Sequence, residues 1–171
     1  MSYMLRARTG LLLATGVLLL AGCSIKNADE FRRSIRSGTP LTTVETLEVN
    51  RPFKDVTAVL RKQAKECLDV TVRIVCIDCI VKRERFNVFK PTFITTPDRT
   101  ELHLQFKEAG VIEIGVPQDG GYVLVLDATP IAKNRTKIDI YRQSPDEKFI
   151  HNAMRGWVKG DNMGCPDLTT R

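Results

Sequence analysis

Histidine is scarce in this chain. His103 and His151 are the only two among 171 residues, and neither has a cysteine or the other histidine near it in sequence. A structural zinc site needs four ligands, so no metal site is expected, and both rings are read as solvated, on the polar sides of a strand and a helix. Aromatic residues are sparse too, at 6%, which leaves few platforms on which bases could stack; nucleic acid is not an expected partner. The chain has no glycine-rich phosphate loop, no serine-centred elbow and no paired carboxylates in a catalytic context. No catalytic residue and no cofactor is assigned, and an enzyme is not expected. Nor is there an apolar run of the roughly 20 residues that cross a bilayer.

The longest apolar run, "GLLLATGVLLLAG" (Gly10–Gly22), has the length of a signal-peptide core. It follows a start that carries Arg6 and Arg8 and no acidic residue, and it leads directly into Cys23. In "LLLAGCS" the small residues Ala21 and Gly22 let a peptidase approach the backbone, and the Cys23 thiol is a nucleophile open to acylation. Leu20-Ala21-Gly22-Cys23 resembles the lipobox of bacterial lipoproteins. The resemblance implies cleavage between Gly22 and Cys23, lipid on Cys23 and anchoring in a membrane; it assigns no family to the rest of the chain. Ser24, standing where an aspartate would favour the inner membrane, implies the outer membrane facing the periplasm. Each buried CH₂ contributes about 0.8 kcal/mol and stable anchoring takes two signals, so the two or more acyl chains implied by the resemblance would suffice.

Without residues 1–22 the chain loses two of its 26 basic residues and none of its 20 acidic ones, leaving +4. That is a mildly basic, solvated surface. Residues 23–41, polar and ending in Ser37-Gly38-Thr39-Pro40, read as a lipidated tether, with Arg32, Arg33 and Arg36 placed to meet anionic headgroups. Residues 42–171 read as one globular domain.

Within it, Thr42–Asn50 suggests a short strand. Phe53, Val56, Leu60, Ala64 and Cys67 recur at helical spacing after Pro52. A β-rich stretch follows, with Val70, Val72, Ile74 and Cys76 alternating, and "TELHLQFKE" sets Leu102, Leu104 and Phe106 against Glu101, His103, Gln105 and Lys107. "VIEIGV" and "GYVLVLD" flank a turn at Pro117–Gly121, and "TKIDIYR" adds a strand. Ser144-Pro145-Asp146-Glu147 reads as a capping box opening a helix whose apolar face is Phe149, Ile150, Ala153, Met154, Trp157 and Val158. The expected fold is α+β: a two-layer sandwich with an antiparallel sheet of about five strands packed by two amphipathic helices. The order of elements resembles helix-grip and related small domains of envelope lipoproteins, a likeness of pattern that transfers no function.

After Cys23, four cysteines remain. In an oxidising compartment they favour disulfides, and three full pairings exist. Cys67 at the end of the first helix and Cys165 just beyond the second form the expected bond, with Cys76 and Cys79 as a possible second pair. The Cys76-Ile77-Asp78-Cys79 spacing also suits a thiol–disulfide protein, but redox pairs open a helix and this one lies among β-formers. The sequence therefore describes an envelope lipoprotein that acts as a non-catalytic interaction or structural module with an unnamed envelope partner. The alternative is a carrier of a small apolar ligand or lipid, with a pocket between the sheet and the Trp157 helix.

Overall fold

The computed structural model describes residues 25–38, 42–75, 84–111, 116–143 and 148–169. Cys23 and its cleavage site, the Cys76/Cys79 pair and the capping box at 144–147 lie outside the described residues. The elements run α1 (Ala28–Arg36), β1 (Thr43–Val49), α2 (Phe53–Leu68), β2 (Val70–Val75), β3 (Glu84–Thr96), β4 (Arg99–Glu108), β5 (Gly121–Ala132), β6 (Arg135–Arg142) and α3 (Lys148–Lys159). The six strands form one antiparallel sheet in the order β1-β6-β5-β4-β3-β2.

The α+β sandwich is present. On one face of the sheet, Val56, Leu60, Ala64 and Leu68 of α2 and Ile150, Ala153, Met154, Trp157 and Val158 of α3 close over Leu102, Leu104, Leu124, Leu126, Ile138 and Ile140. Trp157 is fully buried, and its indole N–H donates to the Met163 carbonyl at 3.2 Å. Phe149, expected on that apolar face, is exposed instead, beneath the Lys148 ammonium at 5.2 Å. Arg51 reaches from the turn before α2 to donate to the Trp157 and Val158 carbonyls, at 3.0 and 3.1 Å. A cation there satisfies carbonyls that a helix C-terminus leaves open.

One expectation changes. Part of the stretch read as a tether is helix α1, packed on the opposite face of the sheet, where Ala28, Phe31 and Ile35 meet Val125 and Tyr141. The first arm of the hairpin expected across Pro117–Gly121 lies mostly outside the described residues. The neighbours of β5 among the described residues are β4 and β6, in the registers Phe106↔Gly121 and Leu126↔Ile140. Pro117–Gly120 is a turn leading into that strand, and residues 112–115 lie outside the described residues.

The strands are unequal in length. β3 has 13 residues and β2 only six, paired from Val75↔Glu84 to Val70↔Phe89. Beyond Phe89, β3 is paired with β4 on one side, from Lys90↔Gln105 to Thr96↔Arg99, and with no strand on the other among the described residues.

Candidate functional site

Helix α1 forms because Asn27 caps it. Its side-chain oxygen accepts from the Glu30 N–H at 2.9 Å while the Glu30 carboxylate accepts from the Lys26 N–H at 2.7 Å, so two N-terminal donors are satisfied. Its buried stripe is Ala28, Phe31, Arg32 and Ile35. One member of that stripe is a guanidinium, and the sheet beneath is built to receive it. Arg32 Nη2 donates to Asp127 Oδ1 of β5 at 2.6 Å and to Glu101 of β4, and Nη1 donates to Asp29 at 2.7 Å. Arg99 joins from the rim, 3.0 Å from Asp127 and 3.3 Å from Glu101. His103 Nε2 lies 2.9 Å from the other side of Glu101.

Two guanidinium groups and the carboxylates of Glu101 and Asp127 are thus held together at the edge of the core, with Asp29 bonded to Arg32 from the exposed side of α1. Burial weakens the Arg32 charge, but its bonds to Asp127 and Glu101 outweigh that and raise its pKa. Burial likewise pushes the Glu101 carboxyl up, and hydrogen bonds from Arg32 and His103 more than reverse it, so its pKa is lowered. Through its bonds to Glu101 and Asp127, Arg32 clamps α1 to the sheet. Tyr122 and Tyr141 flank the clamp: the Tyr122 ring lies 5.8 Å from Phe31 and edge-on to His103 at 6.0 Å, and Arg36 stacks over Tyr141 at 5.1 Å.

Both histidines, expected in solvent, are buried. The Tyr122 ring and the Glu101 carboxylate lie against His103. His151 of α3 is covered because Glu45 of β1 reaches up beneath that helix, 2.5 Å from Nε2 and 3.0 Å from Arg155 Nε. Burial lowers the His151 pKa; Glu45 pulls it back, while Arg142 and Arg155 add to the lowering.

The expected Cys67–Cys165 bond is present, with Cα atoms 5.1 Å apart and 98 residues between them in sequence. It ties the C-terminal segment to the end of α2. Among the described residues, no group of three or more His, Cys, Asp or Glu is placed to hold a metal ion, and no helix is long and apolar enough to cross a membrane.

A third feature lies on the outer flank of α2. Lys54, Thr57, Ala58, Arg61, Lys62 and Lys65, with Thr95 of β3, line an open groove of about 480 Å³. Its charges are four cations and no carboxylate. Arg61 bridges the two elements, donating to Thr95 Oγ1 at 2.8 Å and lying over the Phe93 ring at 5.7 Å. The positive spacing of these residues was legible in the sequence; their placement beside the distal half of β3 was not.

No family profile and no curated protein matches the chain. Among solved structures, it is similar to the crystal structure of DynU16, a protein from the dynemicin biosynthetic locus, at 14% identity and a TM-score of 0.31. The match covers 71% of this chain and spans 44% of that one. So slight a likeness carries no argument about site or function.

Proposed function

We propose that this protein is a lipid-anchored envelope lipoprotein, held by acyl chains on Cys23, whose α+β domain is a non-catalytic interaction module. The observation that carries the reading is "LLLAGCS" behind a basic start, a peptidase-accessible small pair followed by a nucleophilic thiol. Ser24 supports an outer-membrane address facing the periplasm. The fold is in keeping with this: α1 begins at Ala28, five residues after Cys23, and is clamped to the sheet, so the domain would stand close to the bilayer.

The interior supports an interaction module over a carrier. Leu60, Leu104, Leu126, Ile140 and Met154, where an apolar ligand would lie between sheet and helices, have no surface that a water-sized sphere can touch. A ligand pocket needs some 300 Å³, and side chains in such contact leave no void against themselves. The test is intact mass spectrometry of the protein from a membrane fraction. The expected product starts at acylated Cys23, and Cys23→Ser accumulates as an unprocessed, unlipidated chain. An N-terminus without lipid, or one cut elsewhere, ends the proposal.

A further inference from the structure

The distal half of β3 and the cationic flank of α2 form a single surface. Among the described residues, 91–96, "PTFITT", have β4 on one side only, and at about 3.4 Å per residue they present an edge of roughly 20 Å. Natural proteins blunt such edges with charge, proline or a covering element. Here Lys90, paired with Asp69 at 3.2 Å, and Pro91 guard only the end nearest β2. Past them the residues are strong β-formers, and Ile94 is 50% exposed.

The two faces of this edge differ. Phe93 and Thr95 point toward α2, as the Arg61 contacts to both establish, while Thr92, Ile94 and Thr96 point to the other face. A strand laid against the edge would continue the line of β2. Its side chains would alternate between the groove of Lys54, Arg61, Lys62 and Lys65 and the β-branched row of Thr92 and Ile94. Elsewhere on the sheet cations meet acids: Arg73 with Glu84, Arg99 with Asp127, Arg135 with Glu48, Lys137 with Asp139. The groove is lined by none.

We infer that this edge is a β-augmentation site for an extended acidic segment of a partner protein, with Asp or Glu at alternate positions and β-branched residues between them. Main-chain hydrogen bonds supply the attachment, and the alternate carboxylates supply the selection. This gives a chemistry to the partner of the interaction module proposed above, yet it rests on β3 and α2 alone and not on the lipid at Cys23. Failure of lipidation and failure of this site are therefore separate results.

The probe is a fluorescein-labelled peptide Glu-Val-Glu-Val-Glu-Val-Glu titrated by anisotropy with the full chain in detergent. It should bind saturably and at least tenfold more tightly than the lysine counterpart, and more weakly as salt is raised. Strand addition uses every second amide of the incoming chain. N-methylating one alternate set should abolish binding and methylating the other should leave it intact, a pattern that charge attraction cannot produce. Lys62→Glu with Lys65→Glu, on exposed positions, should weaken binding tenfold or more while the melting temperature stays near that of the parent. Peptide bonding should also slow hydrogen exchange within residues 91–96. Equal sensitivity to both methylation patterns, or no preference over the lysine peptide, overturns the inference. So does binding to phosphatidylglycerol vesicles, lost in the double variant, without peptide binding; that result would make the groove a headgroup surface.

Discussion

At the scale of the residue, Arg32 and His151 are charged or chargeable groups inside a protein, and each has a measurable cost. Arg32→Met leaves Asp127 with only the rim guanidinium of Arg99, and Glu101 with Arg99 and His103. Removing one partner of a buried ion pair costs about 3–5 kcal/mol, and urea unfolding should show a loss of that order. Adding Glu101→Gln and Asp127→Asn should recover part of it, because fewer buried carboxylates then lack a partner. His151 gives a pH signature. Its pKa is lowered by folding from the ordinary 6.5, so as pH falls the unfolded chain takes up the proton first. Stability should be full above about pH 7, decline as pH passes below 6.5, and level off once it is below the folded pKa. His151→Gln should flatten that segment of the profile. Glu101 acts lower on the scale: its depressed pKa contributes stability that is lost only as pH falls below the ordinary carboxylate range. The sequence disclosed neither cluster. Arg32 and Asp127 are 95 residues apart, and no periodicity along one segment reveals a partner on another.

At the scale of the element, what was legible depended on how strongly each segment repeats. α2 and α3 carry long apolar stripes, and β4 alternates cleanly, so their existence and their core faces followed from spacing alone. α1 has nine residues and three arginines, and its stripe of Ala28, Phe31 and Ile35 is interrupted by Arg32. Its charges resemble those of a solvated tether. The signal that would have found it is Asn27 with Glu30 three residues on, the same cap-and-reach pattern seen at other helix starts. His103 and Gln105 were misplaced because alternation tells that β4 has a second face but not what lies against it, here Tyr122 beside His103 and the Gly120 carbonyl on Gln105. The β4–β5 connection carries its own test. Gly120 has φ of 102°, and a Cβ there would stand 2.1 Å from the Phe106 carbonyl oxygen. Backbone cannot yield as a side chain tip can, and Gly120→Ala should cost about 1–3 kcal/mol, seen as a lower melting temperature with an unchanged circular dichroism spectrum at low temperature.

At the scale of the whole molecule, the Cys67–Cys165 bond closes a loop that includes every strand but β1. The chain-entropy model gives about 4.7 kcal/mol for a loop near a hundred residues, and measured bonds usually give about 2–4 kcal/mol. Cys67→Ala with Cys165→Ala should lose stability in that range. The denaturant slope should rise as well, because the unfolded chain is no longer held compact.

The same bond has a consequence for time. A polypeptide is made from its N-terminus, so Cys67, Cys76 and Cys79 are all present long before Cys165, which follows strands β3 to β6 and helix α3. During that interval Cys67 can react with other thiols but not with its native partner, and any bond it makes then must be exchanged later for the native one. Oxidation ahead of completion therefore works against this protein, and its yield should depend on a catalyst of disulfide exchange as much as on an oxidant. A chain stopped short of residue 165 can never be locked, whatever else in it has folded.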